Sequence, residues 1–86
     1  MDIEICKLCY EGAGEAVVAL LTRDLKVVSQ KDSSGRQGMH WAASGGHWSI
    51  CDLLVTKGGA AFDEADDSGW TPLMIAGEWG GEWRVS

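Results

Sequence analysis

The chain is poor in basic residues. Its 86 residues hold seven Lys and Arg against thirteen Asp and Glu, a formal net charge of −6. That balance excludes the cationic face that nucleic acid or an anionic membrane surface requires, and it favours a partner with a basic surface. No apolar run approaches the ~20 residues of a membrane span. The start, Met1-Asp2-Ile3-Glu4, is acidic and lacks the basic stretch and apolar run of a secretory leader. Cysteine is limited to Cys6, Cys9 and Cys51, an odd number that fits reduced thiols and an intracellular setting. There is no glycine-rich phosphate loop and no second C-x-x-C. Proline occurs once, at Pro72.

What the chain does hold is five tryptophans and a recurring pattern. Asp66-Asp67-Ser68-Gly69-Trp70-Thr71-Pro72 reads as a turn followed at once by a helix start. Asp67, Ser68 and Gly69 are turn formers, the Thr71 hydroxyl can cap a helix, and Pro72 suits the first helical position. Apolar spacing predicts helices over about 2–11, 15–23, 39–44 and 49–56, interrupted by Gly12-Ala13-Gly14, Gly45-Gly46 and Gly58-Gly59. Asp32-Ser33-Ser34-Gly35 answers Asp66-Asp67-Ser68-Gly69, Met39 answers Leu73, Ala42 answers Ala76 and Gly46 answers Gly80, each 34 residues on. The same step leads back from Met39 to Ile5 and from Gly46 to Gly12. A fixed offset with one turn and two short helices per unit predicts a helical repeat array. An isolated helix bundle would not need it.

The best-kept unit, Asp67-Ser68-Gly69-Trp70-Thr71-Pro72-Leu73-Met74-Ile75-Ala76, resembles the ankyrin repeat signature. The second unit keeps its end, Met39-His40-Trp41-Ala42-Ala43, with Gln37-Gly38 in place of Thr-Pro. The expected fold is therefore all-α: an ankyrin solenoid of helix-turn-helix units, about two and a half repeats in one domain over 1–86. Repeat 1 would cover about 2–31, repeat 2 about 32–65, and a truncated repeat 3 about 66–86. A one-residue insertion near Gly58-Gly59-Ala60 lengthens the second unit. Ile5-Cys6-Lys7-Leu8-Cys9-Tyr10-Glu11-Gly12, Arg36, His40-Trp41 and Gly69-Trp70 further resemble the N-terminal part of the gankyrin group, non-ATPase proteasome subunits that chaperone assembly of the regulatory particle.

That resemblance implies a non-catalytic protein-binding surface of turn fingers and inner helices, gripping the C-terminal domain of a proteasomal ATPase subunit. Positions matching its contacts are Arg36, Trp41, Asp67, Trp70 and Ile75, with Ser44 and Glu78 on the same face by helical spacing. Arg36 would pair with acidic partner residues, and Trp41 and Trp70 would supply flat apolar area. No cofactor or metal is implied, and the expected location is cytoplasmic, with a nuclear one left open. The group has about seven repeats, and its L-x-C-x-E motif is absent here. The third unit has Met74 in place of the signature histidine and Gly77 in place of an alanine. An inner helix bearing Leu73, Ile75 and Trp79 would be left uncovered, so marginal stability or self-association through that end is expected.

Two alternatives remain at this stage. One is a generic ankyrin scaffold with another protein partner. The other is a zinc or thiol site at Cys6, Cys9, His47 and Cys51, weighed against small buried helix residues. His40 and His47 lack a third group to orient a base. In an ankyrin unit the first ties turn to helix and the second packs between neighbouring loops. Trp48, Trp79 and Trp83 read as packing residues, and Asp63-Glu64-Ala65-Asp66-Asp67 as a solvated turn face.

Overall fold

The computed structural model describes residues 3–61 and 63–78. Among the described residues there are five α-helices: α1 Glu4–Glu11, α2 Gly14–Arg23, α3 Gly38–Ser44, α4 Trp48–Gly58 and α5 Pro72–Glu78, with a 3-10 turn at Leu25–Ser29 between α2 and α3. Among the described residues there is no strand. The helical expectations hold to within a few residues at each boundary. The 3-10 turn was not foreseen.

The repeat is visible as matching bonds. At the end of α1, Gly12 takes a left-handed φ of 79°, its N–H reaches the Cys9 carbonyl at 3.3 Å, and Ala13 N–H reaches Leu8 at 3.0 Å. At the end of α3, Gly46 has φ 73° and bonds Ala43 at 3.1 Å, while His47 N–H bonds Ala42 at 2.9 Å. Both are helix ends closed by a left-handed residue, a conformation that glycine takes at little steric cost.

The fingers match in the same way. Asp32 N–H bonds the Arg36 carbonyl at 2.9 Å, and Asp66 N–H bonds the Trp70 carbonyl at 2.8 Å. Each finger is filled by its own aspartate. Asp32 Oδ1 accepts from Ser34 and Arg36 N–H at 2.9 and 3.0 Å. Asp66 Oδ1 accepts from Ser68 and Trp70 N–H, both at 2.9 Å. These side-chain-to-backbone bonds give the finger its shape.

Inner helix α3 packs between α1 and α5. The core runs through Ile5, Cys6, Cys9, Val17, Leu20, Leu21, Met39, Ala42, Ala43, Ile50, Cys51, Leu54 and Ile75. The small residues Cys9, Ala42 and Ala43, all without exposed surface, let the inner helices approach. The departure at Gln37-Gly38 has the same cause. A Cβ on Gly38 would lie 3.0 Å from Cys9 Sγ and 3.1 Å from Ile5 Cγ1, tighter than ordinary packing. In the third unit Thr71 and Pro72 start α5 as expected: the Thr71 hydroxyl accepts Met74 N–H at 3.1 Å, and Pro72 is the first helical residue.

Candidate protein-binding face

Trp41 is the centre of the face. It is half-buried on α3, and its ring is held by three different neighbours. Its indole N–H donates to Asp32 Oδ2 at 2.8 Å. Tyr10, from the end of α1, meets it edge-on, with centroids 5.5 Å apart and planes at 82°. The Arg36 guanidinium carbon lies 5.1 Å from the ring centroid, within cation–π range. A flat apolar ring therefore presents one orientation to solvent without waiting for a partner.

Arg36 is itself committed. Its Nε donates to Asp66 Oδ2 of the next finger at 2.8 Å. The Asp66 side chain is 2 % exposed and that of Arg36 27 %. Arg36, expected to pair with acidic partner residues, joins two fingers of its own chain. Burial of the Asp66 carboxyl works to raise its pKa. The bonds from Arg36, Trp70 N–H and Ser68 N–H outweigh that and hold it below the usual carboxylate range. Asp32 behaves alike: burial is overcome by the Trp41 indole and the Arg36 and Ser34 N–H groups.

The fingers are tied directly as well. Asp67 N–H bonds the Ser34 carbonyl at 3.0 Å. Asp67 is exposed, and its carboxylate sits where a Cβ on Gly35 would be, so the glycine makes room for the neighbouring finger. Lys31 and Glu64 pair at 3.1 Å, with side chains 47 and 43 % exposed. At that exposure the pair contributes little to stability.

The other expected residues divide. Trp70 is 37 % exposed and stands on the third finger, its N–H bonded to Asp66 Oδ1. Ser44 is half-buried at the end of α3. Ile75, expected as a contact, is only 7 % exposed and belongs to the core, so it supports the face from beneath. At the third inner helix Leu73 and Met74 are the exposed apolar side chains, at 38 and 48 %. Glu78 ends α5, and its side chain lies outside the described part; Trp79 and Trp83 also lie outside the described residues. Tyr10, 45 % exposed, was missed. A signal existed: Tyr10, Ser44 and Glu78 are spaced by 34 residues, one per inner helix.

The two histidines tie the repeats together. His40 accepts Gln37 N–H on Nδ1 at 3.1 Å, and its Nε2 lies 3.0 Å from the Trp70 carbonyl. His47 Nε2 lies 2.9 Å from the Tyr10 carbonyl, and a Cβ on Gly12 or Gly45 would come within 2.6 or 2.7 Å of its ring. His47 is thus used between loops. The three thiols are buried, and Cys6 Sγ donates to the Arg36 carbonyl at 3.7 Å. Burial pushes Cys9 and Cys51 up to about 12. Among the described residues no three His, Cys, Asp or Glu side chains gather where a metal ion could be held. The complete burial of Cys6, Cys9 and Cys51 matches their reading as small packed helix residues. Trp48 packs, partly buried, against the core.

The comparison with known families decides between an isolated bundle and a repeat array: the profile described as "Ankyrin repeats (3 copies)" matches residues 5–85. The chain belongs to the ankyrin repeat family. Among ankyrin proteins it is 34 % identical over 71 residues to the human 26S proteasome non-ATPase regulatory subunit 10, covering 83 % of this chain and 31 % of the relative. It is 37 % identical over 70 residues to the probable 26S proteasome regulatory subunit p28 of Saccharomyces cerevisiae, covering 79 % of this chain and 31 % of that one. A Dictyostelium discoideum 26S proteasome non-ATPase regulatory subunit 10 is 39 % identical over 46 residues, covering 54 % and 20 %. The chain spans about a third of the length of the first two curated relatives. Ankyrin repeats are protein-interaction units, and here the two fingers at 32–36 and 66–70 and the inner helices carry the aromatic and charged side chains.

Proposed function

We propose that the chain is a non-catalytic, gankyrin-like binding module that recognises the C-terminal domain of a proteasomal ATPase subunit during assembly of the regulatory particle, in the cytoplasm. The observation that carries this reading is Trp41, fixed by Tyr10, Asp32 and Arg36 yet still half-exposed. An anchor held in one orientation loses little entropy on binding, and Trp, Tyr and Arg are the residues that dominate interface energy. The similarity to proteasome regulatory subunits supports the choice of partner class. Trp41 and Trp70 would supply contact area, the terminal amino groups of Arg36 would meet partner carboxylates, and Asp67 and Ser44 would add polar contacts at the edge.

The test is a binding titration of this chain against purified C-terminal domains of the proteasomal ATPase subunits, with a Trp41→Ala, Trp70→Ala variant in parallel. One domain is expected to bind, and the double variant to lose at least about a hundredfold in affinity, as two central aromatic anchors imply. Equal binding by the variant would remove the face from the interface. Binding to none of these domains, with capture of some other protein through the same two tryptophans, would favour a general ankyrin scaffold.

A further inference from the structure

His40 sits at the junction of the second and third repeats with no exposed surface. Nδ1 accepts the Gln37 N–H at the start of its own helix, and Nε2 faces the Trp70 carbonyl. One ring nitrogen must be bare and the other must carry hydrogen, so the two bonds specify the neutral Nε2–H tautomer. The Trp70 carbonyl also accepts Asp66 N–H, the bond that closes the third finger. A second proton has one place to go, Nδ1. There it would turn the acceptor of Gln37 N–H into a donor facing a donor.

We propose that His40 is a proton-operated latch on the binding face. A proton at Nδ1 does not itself break the Nε2–H bond to Trp70. It sets a charge and two facing donors in a site without exposed surface, and the ring leaves that site and gives up both bonds. Acidification therefore frees the third finger, with Trp70, from α3 while α1 and α2 stay packed. The consequence for binding rests on the function proposed above; the latch itself does not.

The surroundings fit a ring kept neutral. Burial holds the imidazole below its ordinary value of 6.5; the Trp70 carbonyl, the Asp66 carboxylate and the Glu64 backbone pull the other way, and Arg36 adds to the effect of burial. Asp66 is already occupied by Arg36, and Glu64 by Lys31. From α1 and α4 the titratable groups buried near α3 are the thiols of Cys6, Cys9 and Cys51, the latter two pushed up to about 12 and so neutral. Asp52 is half-buried on α4, while Glu4, Lys7, Glu11, Lys26 and Lys57 on these elements and the 3-10 turn are exposed. From Pro72 to Ile75, α5 carries no ionisable side chain.

The device occurs at one junction. The residue 34 positions on from His40 is Met74, which cannot titrate. Among the described residues His47 is hydrogen-bonded through Nε2, to the Tyr10 carbonyl, and not through Nδ1.

The experiment is a pH titration of the whole chain from 7.5 to 4.5, above the range where Asp66 gains a proton, followed by NMR of the imidazole carbons and the backbone amides. His40 is expected to titrate with a midpoint below 6.5. The amide signals of Gln37, Asp66 and Trp70 should shift with the same midpoint, while those of α1 and α2 stay in place. His47→Gln should keep this transition and His40→Gln should abolish it. Three results would overturn the latch: an imidazole that titrates while the finger amides stay still, a finger transition that survives in His40→Gln, or all amides moving together in one global unfolding. If His40→Gln does not fold, the comparison of imidazole and finger midpoints in the unaltered chain still decides. No partner enters the readout, so failure here leaves the binding proposal standing, and failure of the binding titration leaves the latch standing.

Discussion

Arg36 and Asp66, thirty residues apart, join neighbouring fingers through a 2.8 Å ion pair whose acidic side chain is 2 % exposed. Asp66 also holds its own finger by two backbone N–H bonds. Asp66→Ala would leave two N–H donors and a partly buried guanidinium without an acceptor. The expected loss is about 2–4 kcal/mol, since charge-assisted bonds carry more than neutral ones and unpaired buried donors carry a desolvation cost. Urea unfolding of the two proteins measures it. Arg36→Met, which keeps much of the stem against Trp41, should cost clearly less, and an equal cost would show that the guanidinium dominates.

The two carboxylates set an acid limit. Asp32 and Asp66 both have folded pKa values below their ordinary 3.8. The unfolded chain therefore binds protons at these sites more readily than the folded one, and their contribution is present above about pH 4 and lost as pH falls through the folded values. Urea midpoints should drop between pH 4 and pH 2.5, and the drop should be smaller in Asp66→Asn. A midpoint unchanged across that interval would mean that the finger bonds contribute no net stability.

Two left-handed glycines should respond differently to the same change. Gly12 and Gly59 have φ 79° and 68°, so alanine is strained at both by about 1 kcal/mol. At Gly59 a Cβ meets nothing within 4 Å, whereas at Gly12 it lies 2.6 Å from His47 Cε1. Gly12→Ala is expected to cost at least about 1 kcal/mol more than Gly59→Ala, because His47 must leave its place over the loop. Thermal melting of the pair tests this. Equal shifts would mean that the His47 ring is free to move aside.

The thiols should be silent while the chain is folded. Cys6, Cys9 and Cys51 have no exposed surface, and Cys9 and Cys51 are raised to about 12, so almost no thiolate is present at pH 8. Alkylation at pH 8 should label none of the three within the time in which the urea-unfolded chain labels all. Rapid native labelling of Cys9 would revive a thiol role at that site.

Much of the fold could be read from residues that act locally. Thr71 caps α5 and Pro72 starts it, as their types require. Gly12 and Gly46 end α1 and α3, and the 34-residue step places Asp32 and Asp66 in equivalent fingers. The 3-10 turn Leu25–Ser29 was not legible, because five residues are too few for a helical period to show. The inward turn of Ile75 depends on how far α5 rotates against α3. The pairs Arg36–Asp66 and Trp41–Asp32 depend on how closely fingers and helices approach, which spacing alone does not give. The expectation for Trp41 and Trp70 came from the family resemblance, which supplies a register, and both keep exposed surface. Tyr10 escaped because the N-terminal unit has no signature finger ahead of it.

The bond-for-bond match between the finger at 32–36 and the finger at 66–70 has an evolutionary side. A recombination that duplicates the 34 residues from Asp32 to Ala65 cuts at equivalent points, so the new seam would again set a finger beside a finger and an inner helix beside an inner helix. Array length can then change by whole units in one genetic step without passing through an intermediate that has lost its register. Each seam would carry its own version of the Arg36–Asp66 and His40–Trp70 contacts, free to drift separately once copied.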